Sequence, residues 1–226
     1  MCGRYVSPDS AAIEREFNIV RAEWQFPASY NVAPTQRVPV VRIVDGESHG
    51  SRLHWGLIPF FAKGIPTKYS TINARIETVQ TAASYRGPWK RGQRCLVVAA
   101  GFFEWQIQSD GNTKIPYYIH TTDQEIFAFA GLWDSSRTDS GEIIESVTHI
   151  TVPANSLVGA IHNSKQRMPA ILEKADRVAW LTGTPEEAWE TLGPYPDDLM
   201  TAWPVSKRVN TPKNNDAELL KPVELS

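Results

Sequence analysis

Between residues 94 and 152, five strand-like segments follow one another with only short turns between them, and this run constrains the fold of the chain most strongly. The segments are Arg94–Ala100, Phe102–Gln108, Ile115–His120, Ile126–Leu132 and Ile143–Val152. Turns are predicted at Asp110-Gly111-Asn112 and Ser140-Gly141. Upstream, the β-branched segment Val38–Val44 predicts a strand, and the turn at Asp45-Gly46-Glu47 predicts a hairpin with residues 49–57.

A helical pattern comes before these strands. Ser7 is placed as the N-cap, and Pro8 occupies the first helical position. Ile13 and Phe17 then lie four residues apart on one face, and the helix is expected to end near Asn18.

Helical patterns also follow the strands. Glu173–Leu181 has apolar residues at helical spacing. Thr184-Pro185-Glu186-Glu187 has the form of a capping box, and Gly193 is the expected C-terminal stop. The order of helix, many strands, then helices predicts an α+β fold with a mostly antiparallel, barrel-like β core and flanking helices. A doubly wound parallel sheet is excluded because helices and strands do not alternate.

The composition is that of a globular protein. The chain has 226 residues and a net charge of −2, and we interpret residues 1–226 as one domain. Eight Trp, seven Tyr and eight Phe residues exclude a mainly disordered chain. No apolar stretch approaches the roughly 18 residues that a membrane span needs, and no secretory leader is present, so we expect a cytoplasmic monomer with no membrane partner. The small net charge argues against a general nucleic-acid coat but permits a local basic groove.

Metal and phosphate-loop chemistry has no signature in the chain. Cys2 and Cys95 are too few for a disulfide framework or a four-cysteine zinc site, and no spacing typical of metal ligands occurs. Glycine-rich phosphate loops are also missing from the sequence. We therefore expect no metal and no cofactor.

Cys2 is the most informative single position. Removal of Met1, which a small second residue permits, would leave an α-amine and a thiol on neighbouring carbons. Their reference pKa values of about 7.7–8.0 and about 8.5 make both nucleophiles partly available near neutral pH. Such a pair condenses with an aldehyde: the amine forms a Schiff base, and the thiolate closes a five-membered thiazolidine. The alternative is that Cys2 belongs to an ordinary N-terminus.

Three further segments carry groups that could take part in chemistry. Asn73–Thr78, which precedes a predicted helix, combines an amide, a guanidinium and a carboxylate, although surface charges at a strand end would look the same. Glu104 lies in an aromatic strand, where it faces either solvent or a pocket; in a pocket, desolvation would raise its pKa and suit it to proton transfer. His162 lies in a loop with two basic residues, Lys165 and Arg167, and could equally be a surface histidine.

Taken together, the motifs resemble a known family. The resemblance extends from residue 2 to about residue 222, and it is to the SOS response-associated peptidase (SRAP) family of abasic-site-crosslinking proteins. The motifs are, in chain order, Met1-Cys2-Gly3-Arg4, Tyr30-Asn31-Val32-Ala33-Pro34, Trp55-Gly56, Asn73–Thr78, Gly101–Trp105, His162 through Arg167-Met168-Pro169, and Pro204-Val205-Ser206 through Asn210.

The resemblance implies a covalent trap for abasic sites in single-stranded DNA. Cys2 would form the thiazolidine with C1′ of the ring-opened sugar, and Asn73 would position Cys2. Glu104 would shuttle protons, and His162 would assist sugar opening. Thiol closure would remove a Schiff base that otherwise invites β-elimination and strand scission.

The resemblance also implies the residues that contact DNA. Arg4 and Arg75 would hold phosphates that flank the lesion. Arg167 and Lys165 compete for a further phosphate, because four residues separate His162 from Arg167 and many relatives have a shorter spacing. Phe60 and Phe61 are the candidates for an aromatic wedge against the base stack. The protein would be associated with the nucleoid when it is bound to DNA.

Two other functions stay open. The first is a thiol peptidase that uses Cys2 and His162, with Glu104 or Asn73 as the orienting group; the family name records this activity, and self-removal of Met1 would be its minimal form. The second is a non-catalytic module that binds single-stranded DNA and in which Cys2 is incidental.

Overall fold

The computed structural model describes residues 2–22 and 24–225. The strands are β1 (Tyr5–Ser7), β2 (Arg21–Ala22), β3 (Ser29–Val32), β4 (Arg37–Val44), β5 (Glu47–Trp55), β6 (Asn73–Arg75), β7 (Arg94–Ala99), β8 (Gly101–Ile107), β9 (Lys114–Thr121), β10 (Phe127–Arg137), β11 (Ile143–Pro153), β12 (Arg167–Pro169), β13 (Ile171–Leu172) and β14 (Met200–Pro204). The helices are α1 (Ser10–Glu16), α2 (Arg86–Lys90), α3 (Ser156–Ile161), α4 (Arg177–Thr182) and α5 (Pro185–Glu190). Short 3-10 helices span Phe60–Ala62, Lys174–Asp176, Asp197–Leu199, Lys207–Asn210 and Ala217–Leu220.

Five strands close into a barrel. Strands β11, β10, β7, β4 and β5 pair in that order with antiparallel neighbours, and a parallel pairing of β5 with β11 closes the ring. The closing contact sets Trp55 opposite Val147. The short strand β6 pairs with β11 in parallel, and β12 pairs with β11 in an antiparallel arrangement. The expected α+β class with a mostly antiparallel, barrel-like core is confirmed.

A second sheet carries the N-terminal strand. Its order is β14-β9-β8-β1-β3, and every neighbouring pair is antiparallel. Tyr5 pairs with Phe102 on one side and with Val32 on the other. Because β1 lies between β8 and β3, the backbone just before it, at residues 2–4, is brought beside the middle of β8.

The first helix begins later than the sequence predicts. Ser7 belongs to β1, and Asp9 is the N-cap of α1, since its carboxylate accepts a hydrogen bond from the Ala12 amide at 2.9 Å. The prediction of Ser7 as the cap is therefore wrong. Ser7 Oγ instead donates to the Pro8 carbonyl, so the pairing of β1 with β3 takes precedence over an earlier helix start.

The C-terminal helices follow the sequence pattern more closely. Residues 173–181 form a 3-10 turn followed by α4, so only part of the predicted helix is α-helical. The capping box at Thr184 is confirmed: its hydroxyl accepts from the Glu187 amide, and the Glu187 carboxylate accepts from the Thr184 amide. Helix α5 ends with Thr191 as its C-cap rather than at Gly193.

The region after residue 73 differs from the expected strand end followed by a helix. Asn73–Arg75 is a three-residue strand, and α2 does not begin until Arg86. The turns between them are tied by backbone hydrogen bonds, including Ala82 to Thr78 at 2.8 Å. The short strand adds to an edge of the barrel and fixes Asn73 there.

The barrel interior is filled by large apolar side chains. Trp55, Phe129 and Val97 are buried there, and Cys2 belongs to the same hydrophobic cluster. Tyr5 packs edge-on against Trp55, with ring centroids 5.3 Å apart. The start of the chain is therefore built into the core, and burial of these rings stabilises its position.

Gly101 marks a close approach between strands β8 and β9. A Cβ atom at this position would lie 2.3 Å from the Tyr118 ring, which is buried and packs against Phe103 and Trp203. Gly101→Ala is expected to lower the free energy of unfolding by about 1–3 kcal/mol through overpacking. Gly193→Ala is the matched control, because a Cβ there meets no atom within 4 Å. Urea denaturation measures both variants, and equal stability of the two would contradict the packing argument.

Candidate active site

Cys2 is tied to the barrel through its backbone. The side-chain amide of Asn73 donates a hydrogen bond to the Cys2 carbonyl at 3.0 Å. Asn73 pairs with His149 of β11, and its own carbonyl accepts a hydrogen bond from the Tyr85 hydroxyl at 3.2 Å. Residue 2 is therefore fixed relative to a strand of the closed barrel.

The Cys2 thiol is buried and neutral in this setting. It has no exposed surface, and Sγ donates to the Arg4 carbonyl at 3.6 Å. Burial raises the pKa of the Cys2 thiol, and the nearby Glu104 charge raises it further. The thiol becomes a nucleophile only when its proton is removed.

Glu104 and His162 form a buried acid–base pair. Glu104 Oε1 and His162 Nδ1 are 3.6 Å apart, and the residues are 3% and 4% exposed. Burial raises the pKa of Glu104 to about 7. Burial lowers the pKa of His162, although its hydrogen bond to the Arg167 carbonyl opposes that shift. Near neutral pH the pair can therefore exchange a proton with a reacting group.

The tautomer of His162 is set by the backbone. His162 caps the C-terminus of α3, and Nδ1 lies 2.8 Å from the Arg167 carbonyl. A carbonyl can only accept, so the neutral imidazole carries its proton on Nδ1 and has Nε2 as its acceptor. The loop between His162 and Arg167 thus orients the ring.

A cavity of about 450 Å³ opens beside this pair. Trp105 stands in its wall, and the indole N–H donates to Asn210 Oδ1 at 2.8 Å. Lys165 is exposed at the same cavity. The main lining side chains are Glu104, Trp105, Lys114, His162, Lys165 and Asn210. An aromatic face, two lysines and an acid–base pair therefore surround one opening, which suits an anionic ligand with a planar part.

Arg4 joins the N-terminal segment to residues 209–210. Its Nη1 donates to Asn31 Oδ1 at 2.9 Å and to the Val209 carbonyl at 2.6 Å, and Nη2 donates to the Asn210 carbonyl at 3.4 Å. Asn31 is buried, and its amide donates to three carbonyls of residues 209–214. We call this arrangement the Arg4–Asn31 clasp; it holds Asn210 at the cavity.

The other predicted phosphate ligands lie in different surroundings. Arg75 is exposed at the end of β6. Arg167 is buried and makes a bidentate ion pair with Glu77, while its Nη2 also donates to the Thr151 carbonyl at 2.5 Å. Burial alone would raise the pKa of Glu77, but the hydrogen bonds from Arg167 lower it. Lys165 is thus the more exposed of the two cations that compete for one phosphate.

Phe60 and Phe61 form an exposed aromatic pair away from the core. They are 56% and 52% exposed, and their rings meet edge to face at 5.5 Å. The Phe60 amide donates to Asp134 Oδ2 at 3.0 Å, and the Arg91 guanidinium lies over the Phe60 ring at 5.2 Å. The pair presents apolar ring edges and faces to solvent, as a stacking surface requires.

The structure adds residues that the sequence reasoning did not select. Trp105, Lys114 and Asn210 line the cavity. Trp105 and Asn210 lie within recognised motifs, whereas no sequence signal pointed to Lys114. Helix α3 was missed as well, although Asn155 is a typical N-cap and accepts from the Val158 amide at 2.9 Å. This helix is what places His162.

Within residues 2–22 and 24–225, no group of three His, Cys, Asp or Glu side chains is arranged to hold a metal ion. No helix in the same part of the chain is long and apolar enough to cross a membrane.

The family model described as SOS response associated peptidase (SRAP) matches residues 1–212. The chain belongs to the SRAP family. The resemblance inferred from the motifs is therefore confirmed over nearly the whole chain.

Relatives within the SRAP family share most of their length with this chain. The abasic site processing protein YoqW of Bacillus subtilis is 39% identical over 98% of this chain and 99% of its own. The abasic site processing protein HMCES of Gallus gallus is 31% identical over all of this chain and 79% of its own.

Solved structures show the same fold. A crystal structure of a protein from Bacteroides thetaiotaomicron matches with a TM-score of 0.86 at 28% identity, over 99% of this chain and 100% of that one. A protein from Bordetella bronchiseptica matches with a TM-score of 0.79 at 26% identity, over 91% of this chain and 100% of that one.

Glu104 is expected to impose a pH dependence on stability. Its pKa is about 7 in the folded protein and 4.5 ordinarily, so the folded protein binds more protons between these values. The free energy of unfolding therefore falls as pH rises through this window. Glu104→Gln removes that term, and we expect the variant to gain about 3 kcal/mol relative to the parent between pH 4.5 and 7.5. Urea denaturation at both pH values measures the gain.

The control is Glu186→Gln, an exposed carboxylate on α5, which should not reproduce the change. If the stability difference between the parent protein and Glu104→Gln were the same at both pH values, Glu104 would not titrate in the desolvated setting described.

Proposed function

We propose that this protein captures abasic sites in single-stranded DNA as a thiazolidine crosslink through Cys2, after Met1 has been removed. The observation that carries the proposal is the hydrogen bond from Asn73 to the Cys2 carbonyl, which holds residue 2 where the Glu104 charge acts on its thiol. Relatives that align with nearly the whole chain are named abasic site processing proteins, which supports the proposal. An enzyme-like role in abasic-site processing follows.

The reaction balances with the loss of one water. The α-amine of Cys2 adds to the aldehyde carbon C1′ of the ring-opened sugar, and the hydroxyl leaves as water to give an imine. The sulfur then adds to the imine carbon, and the nitrogen takes up a proton while the thiol loses one. No oxidant or cofactor is needed. While Met1 is attached the nitrogen of Cys2 is an amide, which cannot form the imine.

Glu104 serves as the proton carrier in this scheme. A carboxyl group with a pKa of about 7 is present in both forms near neutral pH. The protonated form can donate to the departing hydroxyl, and the ionised form can accept the thiol proton. Its position near Cys2 follows from the pairing of β1 with β8, in which Tyr5 lies opposite Phe102 and the Phe103 amide donates to the Arg4 carbonyl.

His162 assists the opening of the sugar. The abasic sugar is mostly a closed hemiacetal, so its anomeric hydroxyl must lose a proton and the ring oxygen must gain one. The neutral imidazole has an acceptor at Nε2 because the Arg167 carbonyl holds the proton on Nδ1. The same ring can return that proton when the crosslink reverses.

The DNA strand is bound by cations and aromatic rings around the site. Arg75 and Lys165 are exposed and suit flanking phosphates, whereas Arg167 reaches a phosphate only by leaving Glu77, and Arg4 acts mainly through the clasp. Phe60 and Phe61 suit base stacking, which is worth roughly 1–3 kcal/mol per base. A single strand is favoured because flanking bases must splay apart.

We also propose that the protein acts as a cytoplasmic monomer that joins the nucleoid through DNA.

A thiol peptidase is the second candidate function. The Glu104–His162 pair supplies a base and an orienting carboxylate near a cysteine, which is the arrangement that such enzymes use. Its minimal form is self-removal of Met1, which would prepare the crosslinking amine. Both activities then use the same groups in sequence.

Intact mass after mixing the protein with an abasic single-stranded oligonucleotide tests the proposal. The expected product has the mass of the protein without Met1 plus the oligonucleotide less one water. Cleavage of added peptides without an adduct would favour the peptidase, and reversible binding alone would favour the non-catalytic module. Either result would overturn the crosslinking proposal.

Cys2 variants separate the amine from the thiol. Cys2→Ala is expected to abolish the heat-stable adduct and to leave non-covalent DNA binding nearly intact, because only an aminothiol closes the ring. Cys2→Ser should give an imine that borohydride traps but little stable product. Cys95→Ala is the matched control, since this buried thiol packs in the barrel and should affect stability alone. A stable adduct from Cys2→Ala at the parent yield would contradict the thiazolidine.

Rates separate the two proton-transfer groups. Under single-turnover conditions, Glu104→Gln should crosslink about 100-fold more slowly with little change in DNA affinity, because the amide keeps the shape but cannot titrate. His162→Ala should slow the reaction less. Both variants should still give a thiazolidine. If Glu104→Gln crosslinked at the rate of the parent protein between pH 5 and 8, Glu104 would not be the proton carrier.

A further inference from the structure

A second cavity of about 540 Å³ lies on the outer side of strands β4 and β5. Arg37 and Arg52 line it, and the strand register explains why they meet: Arg37 pairs with His54, and Arg52 lies two residues before His54 on the same face. Arg52 Nη2 donates to the Arg37 carbonyl at 3.1 Å. Two guanidinium groups thus project into one hollow.

Among the described residues, no carboxylate balances the charge of these two arginines. No residue that lines the cavity carries a carboxylate, and neither arginine has an ion pair within residues 2–22 and 24–225. The Arg52 guanidinium lies over the Phe26 ring at 5.0 Å, and Phe26 packs edge-on against Trp24 at 5.3 Å. Held in this way, two like charges are best balanced by a multidentate anion.

The second cavity lies close to the cavity beside Glu104. Asn210 lines the cavity beside Glu104, and Asn215 lines the second cavity, where it also accepts from the Tyr30 amide at 2.7 Å. Ser7, another lining residue, is five residues from Cys2, a distance of at most about 17 Å along an extended chain. The two cavities are therefore a few nucleotides apart, at the two ends of the segment 210–215.

We propose that Arg37 and Arg52 bind a backbone phosphate of the single strand that flanks the abasic site. The inference rests on the proposed function, since it identifies where the strand continues beyond the reacting sugar. A free phosphate ion presents the same chemical group as a backbone phosphate, and the test below distinguishes the two ligands. Gln36 and Asn215 supply further polar contacts at the rim.

Binding of oligonucleotides that carry a tetrahydrofuran abasic analogue tests the proposal, because the analogue has no aldehyde and its binding does not depend on crosslinking. The analogue is flanked by one to eight nucleotides on either side. The Arg37→Gln/Arg52→Gln double variant should bind the longer strands about tenfold more weakly, with a salt slope lower by about 0.7, the value for one phosphate. The shortest strands should bind the double variant and the parent equally. Arg137→Gln, which removes an exposed charge outside both cavities, should behave as the parent.

Titration with inorganic phosphate, followed by NMR of the arginine side chains, provides the second arm. Loss of affinity that depends on strand length supports the proposal whatever the free ion does. Phosphate-induced shifts at Arg37 and Arg52 without any effect of strand length would overturn the DNA assignment in favour of a small anion. No effect in either arm would overturn the site itself. If the parent formed no adduct with abasic DNA, the crosslinking proposal alone would fail, because this binding test would still be read separately.

Discussion

The hydrogen bond from the Asn73 side chain to the Cys2 carbonyl is the contact on which the rest of the site depends. It attaches the second residue of the chain to a short strand, and that strand pairs with β11 of a closed barrel. A chain terminus ordinarily frays because few contacts oppose its conformational entropy. Here burial of Cys2 and Tyr5 and the pairing of β1 with β8 supply those contacts. A nucleophile at the start of a chain can then be held as precisely as one in a strand.

Burial shifts the two ionisable groups of the site in opposite directions: it raises the pKa of Glu104 and lowers the pKa of His162. Desolvation disfavours the carboxylate of Glu104 and the imidazolium of His162, so Glu104 is present in both protonation states near neutral pH and His162 is shifted toward its neutral form. An imine-forming reaction needs an acid and a base in turn, and a pair poised in this way can provide both. The Arg4–Asn31 clasp completes the site from the other side, since it brings Asn210 to the indole of Trp105.

Patterns that depend on neighbouring residues were predictable from the sequence, and contacts across the chain were not. The strand from Val38 to Val44 and the capping box at Thr184 follow from local preferences, and both are present. The ion pair between Glu77 and Arg167 joins residues 90 positions apart, and no local pattern predicts it. Asp9 rather than Ser7 is the N-cap of α1 for a similar reason, because Ser7 pairs with Ser29 in the sheet. The motifs named Glu104 and His162 as candidates, but only the fold shows that their side chains lie next to each other.

The bonding of C1′ in the product distinguishes a thiazolidine from other adducts. An abasic oligonucleotide labelled with carbon-13 at C1′ is mixed with the protein from which Met1 has been removed, and the carbon spectrum of the adduct is recorded. A thiazolidine gives a saturated carbon bonded to both nitrogen and sulfur, whose signal is absent when Cys2 is replaced by Ser. A signal from an imine carbon, or from a carbon bonded to sulfur alone, would contradict the proposed thiazolidine.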